Sequence, residues 1–105
     1  MNRNFRLTQS TDFKRVRRSG KSYAHPLIVL VVLPADGMPT RFGVTAGRSV
    51  GNAVQRNRAK RLIREGLRPL LPLVHPGWKV ILISRNPIRN ANLTEIIDAL
   101  HLIFL

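Results

Sequence analysis

The segment from Arg48 to Arg68 restricts the fold of this chain more than any other. It contains six arginines and one lysine but only one acidic residue, Glu65. At about 100° per residue, a helix over this segment separates an apolar side from a polar side. The apolar side consists of Ala59, Leu62, Ile63, Gly66 and Leu70, and the polar side of Asn57, Arg61, Arg64 and Arg68. The pattern predicts a half-buried helix with an exposed basic face.

The charges of this helix favour an anionic partner. Like charges three or four residues apart each cost roughly 0.2–0.5 kcal/mol, and a polyanion would reverse that sign. Gly47 and Gly51 allow close backbone approach, and Asn52 or Ser49 can cap the helix start, where free N–H groups suit a phosphate. A merely solvated basic helix is the alternative. The near absence of acidic counterparts and the preference for arginine, whose planar fork matches phosphate, argue against it.

Composition supports the same partner class. The net charge is +13, from 18 basic and 5 acidic residues, a balance typical of nucleic-acid binding. The 44% apolar content over 105 residues predicts one globular domain with one core. A membrane is a poorer partner, since the longest apolar run, 27–33, is far below the roughly 20 residues that span a bilayer. The absence of cysteine and of an apolar signal-peptide core leads us to expect a cytoplasmic protein.

The rest of the chain predicts alternating helices and strands. Residues 1–8 are expected to be flexible, with Phe5 and Leu7 as tethers. The predicted elements are a short helix through Arg18, a long strand 21–33, a partner strand 41–46 in an antiparallel hairpin, the basic helix to about Arg68, a buried strand 78–84, and a last helix to Phe104. The order α-β-β-α-β-α predicts an α+β fold with a mixed sheet covered by helices.

Several motifs resemble the bacterial ribonuclease P protein component. The signature helix of that family is matched by VGNAV at 50–54, RNR at 56–58 and KRLIRE at 60–65. The likeness continues in FRL at 5–7, in DF at 12–13 and in VILISR at 80–85. It implies a two-layer α/β sandwich, ribosomal protein S5 domain 2-like, with a left-handed βαβ crossover between parallel strands. Ordinary chirality rules would predict the opposite hand.

The resemblance also implies a function. The chain would be the protein subunit of ribonuclease P, a ribonucleoprotein endonuclease that hydrolytically removes the 5′ leader of precursor tRNA. The RNA would carry the active site and require Mg²⁺, with one protein per RNA and no catalytic residue on the protein. Weak metal sites are associated with the family, but the sequence assigns none to this chain. The residues agree, because His25, His75 and His101 are scattered and the five acids form no cluster. A general or ribosome-associated RNA-binding protein is the alternative, and a membrane-disrupting cationic protein is a weaker one.

Two groups of residues are candidate RNA contacts, by resemblance and by charge. The catalytic RNA would contact Arg48, Asn52, Arg56, Asn57, Arg58, Lys60, Arg61, Arg64 and Arg68. A groove between the first helix and the sheet would hold the leader, with Phe13 stacking a base, Lys14 and Arg17 binding phosphates, and Tyr23 or Val31 as the floor. Phe13 could equally be a core anchor. The family often has aromatic residues where this chain has Arg17 and Val31, so we expect its groove to rely more on charge than on stacking.

Overall fold

The computed structural model describes residues 6–7 and 10–104 of the chain. They form one mixed sheet and three α-helices. The elements are α1 (Ser10–Ser19), β1 (Lys21–Ala24), β2 (Ile28–Pro34), β3 (Arg41–Ala46), α2 (Ala53–Leu67), β4 (Trp78–Ser84) and α3 (Leu93–Phe104). Short 3₁₀ turns lie at Arg48–Val50, Arg68–Leu73 and Asn86–Asn90. The α+β class is confirmed, and the helices and strands follow the predicted order except that the first predicted strand is divided into β1 and β2.

The strand order in the sheet is β1-β2-β4-β3. β4 pairs antiparallel with β2 and parallel with β3, and α2 is the crossover between the parallel pair. The predicted hairpin between β2 and β3 is therefore wrong, because β4 lies between them. The physical reason is the composition of β4. Its residues Val80, Ile81 and Leu82 are all buried, so the strand needs cover on both faces and suits the centre of the sheet.

The predicted long strand 21–33 is two strands. β1 and β2 pair antiparallel around a tight turn in which the N–H of His25 donates to the carbonyl of Ile28 at 2.9 Å. Pro26 lies in this turn, where it interrupts the strand because it has no N–H to donate. The reversal places Tyr23 opposite Leu30 and Ser22 opposite Val31. It thereby decides which face of the sheet each β1 side chain occupies.

The two faces of the sheet are covered unequally. Leu30, Phe42 and Leu82 point to one face and pack with α2 and α3 in the main core. Val31 and Ile81 point to the other face, where α1 packs through Val16. The sheet with α2 and α3 thus forms the main two-layer body, and α1 covers part of the opposite face.

The amphipathic pattern of α2 is borne out. Ala59, Ile63 and Gly66 are buried as predicted, and Leu67 is buried as well. Gly66 is needed because an added Cβ would lie 3.1 Å from side-chain atoms of both Ile96 and Leu100 in α3. The small residue therefore lets the two helices approach closely.

The N-terminal segment was expected to be flexible over residues 1–8. Of these, only Arg6 and Leu7 are described, and both are fixed at the outer edge of β3. Arg6 forms a parallel bridge with Phe42, and the N–H of Leu7 donates to the carbonyl of Phe42 at 2.7 Å. Leu7 is buried under α1, as its role as a tether predicted. The remaining part of this expectation, including Phe5, lies outside the described residues.

Candidate RNA interface

The exposed face of α2 forms a shallow polar depression. Its volume is about 380 Å³, and its lining consists of Asn57, Lys60, Arg61, Arg64 and Glu65. Arg68 lies next to it and pairs with Glu65 at 3.0 Å. Both partners of that pair are largely exposed, so it stabilises the protein little. We call this face, with Arg68, the α2 surface; it unites five of the predicted contacts with the catalytic RNA.

Arg64 is in an unusual position on the α2 surface. Its Nε atom is buried and has no hydrogen-bond partner among the described atoms. Burial lowers the pKa of Arg64, and the charge of Arg6 lowers it further. Two guanidinium groups thus repel each other beside a buried donor. An anionic oxygen would satisfy the donor and offset both charges.

Arg58 has a different role from its neighbours. Its guanidinium donates to the carbonyl of Ala91 at 2.8 Å and to that of Arg89 at 3.3 Å. It therefore ties α2 to the loop before α3, although the side chain is exposed. The prediction placed Arg58 among the contacts with the catalytic RNA and did not include this structural contact. Its contacts lie more than thirty residues away in the chain, so helical periodicity does not reveal them.

The start of α2 is capped as predicted. The side-chain oxygen of Asn52 accepts from the N–H of Gln55 at 2.9 Å, and the Gln55 side chain accepts from the N–H of Asn52 at 2.8 Å. Gly51 has φ 142°, a conformation that favours glycine. This capping box already occupies two N–H groups that were expected to be free for a phosphate. Arg48 lies exposed in the preceding 3₁₀ turn, and Arg56 is half-buried on α2.

The second candidate region lies between α1 and β3. The ring of Phe13 rests on Gly43, since an added Cβ there would clash with the ring's Cζ. Phe13 is half-buried against the cluster around Val16. It therefore anchors α1 and still leaves part of its ring accessible. Lys14 and Arg17 are exposed on the same helix, and Arg17 shares the side of Phe13 because it follows by four residues.

Neither predicted floor residue lies in this groove. Val31 is 3% exposed and is packed beneath α1, so an RNA cannot reach it. Tyr23 pairs with Leu30 and therefore lies on the opposite face of the sheet from Phe13. The two assignments are wrong for different reasons: the chain reversal between β1 and β2 turns Tyr23 to the other face, and α1 covers Val31.

Two further residues of β3 share the sheet face on which the Phe13 ring rests against Gly43. Arg41 and Thr45 alternate with Gly43 on the face that α1 covers, and both are half-buried. Sequence reasoning missed them. Their alternation predicts a shared face, but only the strand order brings that face under Phe13. The ion pair between Asp12 and Lys79, at 2.9 Å, joins α1 to β4 beside this region.

Within the described residues, no three His, Asp or Glu side chains come together as a metal site would require. None of the helices in residues 10–104 has the length and apolar character of a membrane-spanning helix.

The basic helix face and the aromatic residue between exposed cations define an RNA-binding α+β protein. The Ribonuclease P family model matches residues 1–105. The ribonuclease P protein component of Herpetosiphon aurantiacus is 43% identical over 99 residues, covering 94% of this chain and 80% of that protein. That of Oceanobacillus iheyensis is 35% identical over 106 residues, covering 99% and 88%. The chain belongs to the bacterial ribonuclease P protein family.

Solved structures agree with this assignment. The RNase P protein of Staphylococcus aureus matches with a TM-score of 0.80 and 28% identity, covering 94% of this chain and 91% of that one. The protein of Thermotoga maritima, at 23% identity, has the same fold with a TM-score of 0.83 over 94% of each chain. The chain is thus a subunit of a ribonucleoprotein endoribonuclease that acts in tRNA 5′ processing. Its partner is the ribonuclease P RNA, which carries catalysis.

Proposed function

We propose that the α2 surface binds the catalytic RNA, and that α1 and β3 together bind the 5′ leader of precursor tRNA. One observation carries the first assignment: the buried Nε of Arg64 has no acceptor among the described atoms, and Arg64 lines a depression together with Lys60 and Arg61. A phosphate oxygen is the ligand that such donors bind best. Arg48, Asn52, Arg56 and Arg68 extend this contact on either side, and Arg58 supports it by holding the loop before α3.

The contact with the catalytic RNA is mainly electrostatic. Phosphate contacts position a protein on RNA without reading its sequence. If about six phosphates are neutralised, the slope of log affinity against log salt is about −4 to −5. Binding that is insensitive to salt would contradict a phosphate-based interface.

The leader would pass over the exposed part of the Phe13 ring. A base stacked there contributes roughly 1–3 kcal/mol. Lys14 and Arg17 are exposed beside the ring and would bind the leader phosphates, and Arg41 and Thr45 of β3 would form the polar floor. Basic residues on both α1 and β3 agree with a groove that relies more on charge than on stacking.

The outer edge of β3 would connect the two binding regions. Arg6 is bridged to Phe42 at this edge, and its charge acts on Arg64 of α2. The next residue, Leu7, packs under α1. A rigid sheet edge between the regions would hold the leader at a fixed position relative to the catalytic RNA. This positioning is the protein's contribution to a reaction that the RNA performs with Mg²⁺ in the cytoplasm.

Reconstitution with the catalytic RNA tests the proposal. We expect the protein to lower the Mg²⁺ concentration needed for leader removal, and Arg61→Ala to lose part of that effect. Arg17→Ala should weaken binding of precursor tRNA more than binding of mature tRNA. Arg15→Ala is the matched control, because Arg15 is exposed on α1 but points away from Phe13. An unchanged Mg²⁺ requirement with wild-type protein would favour a general RNA-binding role instead.

A further inference from the structure

The sheet face beneath α2 and α3 is not fully covered. Towards β1 and β2 an apolar groove of about 400 Å³ lies between the strands, the 3₁₀ turn at Arg68–Leu73 and the end of α3. Tyr23 and Trp78 line it and keep 45% and 38% of their surfaces exposed. Phe13 lies on the opposite face of the sheet, so this groove is separate from the proposed leader groove.

The sheet register gives the length of the groove. Tyr23 pairs with Leu30, Leu30 pairs with Leu82, and Trp78 precedes Leu82 by four residues on β4. At about 3.3 Å per residue and about 4.8 Å between strands, the Cα atoms of Tyr23 and Trp78 lie about 16 Å apart. A short extended strand can reach both side chains.

The charges around the groove select the kind of occupant. Lys21 lies on the same face, since it pairs with Val32, which lines the groove. Its Nζ atom is 5.5 Å from the centroid of the Tyr23 ring. A second copy of a chain with net charge +13 is repelled, whereas a polyanion is attracted. Exposed aromatic residues beside a cation are the combination that binds single-stranded nucleic acid.

We propose that this groove is a second RNA site, which takes unpaired bases of a single-stranded RNA segment. Tyr23 and Trp78 stack a base at either end of the groove, and Lys21 binds a phosphate between them. The site goes beyond the proposed contacts of the α2 surface and the leader groove. It stands independently of them, because it shares no side chain with either.

Trp78 provides a selective probe, because it is the only tryptophan of the chain. Titration of the full chain with a short single-stranded oligouridylate should give saturable quenching of Trp78 fluorescence. Tyr23→Ala should weaken the apparent affinity about fivefold to a hundredfold, the loss of one stacked base. Tyr23→Phe, which keeps the ring, should bind like wild type. Phe13→Leu removes the aromatic ring of the other face and should leave the quenching unchanged.

Three results would overturn the proposal. The first is binding of labelled oligouridylate, seen by anisotropy, without any change in Trp78 fluorescence. The second is loss of quenching in Phe13→Leu, which would assign the signal to the leader groove. The third is a fluorescence change with protein concentration alone, with a dimer in sedimentation. If Tyr23→Ala does not fold, Lys21→Gln at an exposed position must weaken binding instead, or the proposal fails. Leader removal by the reconstituted enzyme tests the proposed function separately, so failure of this groove and failure of the proposed function can be told apart.

Discussion

Replacing Arg58 by Ala removes two hydrogen bonds between α2 and the loop before α3. The bond to Ala91, at 2.8 Å, is partly buried, and the bond to Arg89, at 3.3 Å, is exposed. A typical intramolecular hydrogen bond contributes about 0.5–1.5 kcal/mol net, and the exposed one lies at the lower end. We therefore expect the free energy of unfolding to fall by about 1–2 kcal/mol. For a domain of this size the melting temperature falls by roughly 5–10 °C.

The assay is thermal unfolding by circular dichroism, with two matched variants. Arg61→Ala removes the same charge from the same helix, but Arg61 lines the open depression. Its unfolding free energy should stay within about 0.5 kcal/mol of wild type. Arg58→Lys keeps the charge without the planar fork and should melt between wild type and Arg58→Ala.

The same variants should also differ in how strongly their RNA affinity depends on salt. Arg61→Ala should reduce the salt slope by about 1, the effect of one lost phosphate contact. Arg58→Ala should change the slope less than it changes the melting temperature. Equal melting temperatures for the two alanine variants would refute the structural role of Arg58.

Three further predictions concern positions in and around the core. Gly20→Ala would place a Cβ 2.5 Å from the carbonyl oxygen of Val16 and should lower the free energy of unfolding by more than about 1 kcal/mol. Gly47→Ala is the control, because its Cβ meets open space, and it should lower that free energy by less than about 0.5 kcal/mol. Urea unfolding measures both variants. Ser84→Ala removes a buried hydroxyl that lacks a partner among the described atoms and should raise the free energy of unfolding by about 1 kcal/mol. A lower midpoint of unfolding in urea would contradict this prediction. Phe13→Leu should keep α1 packed but weaken binding of precursor tRNA roughly fivefold to a hundredfold. An equal loss of affinity for mature tRNA would show that Phe13 is only a core anchor.

Some features of this protein follow from neighbouring residues in the chain. The half-buried α2 and its cap at Asn52 depend on contacts within four residues, so periodicity and capping residues predict them. The prediction of a nucleic-acid partner follows from the net charge, which does not depend on the fold. The residues of the α2 surface lie together for the same reason, because one helix carries all of them except Arg68, which directly follows its last residue.

The strand order and the contacts between distant parts of the chain were decided only by the tertiary structure. Insertion of β4 between β2 and β3 is a non-local pairing, and it placed the face of β3 that carries Arg41, Gly43 and Thr45 on the side of the sheet that α1 covers. The reversal at Pro26 assigned Tyr23 to the far face of the sheet. Side chains alternate between the faces along each strand, so strand order and register choose which residues meet, and local sequence does not contain that choice. Arg58 likewise acquired its role only where the fold placed the carbonyl of Ala91 within its reach.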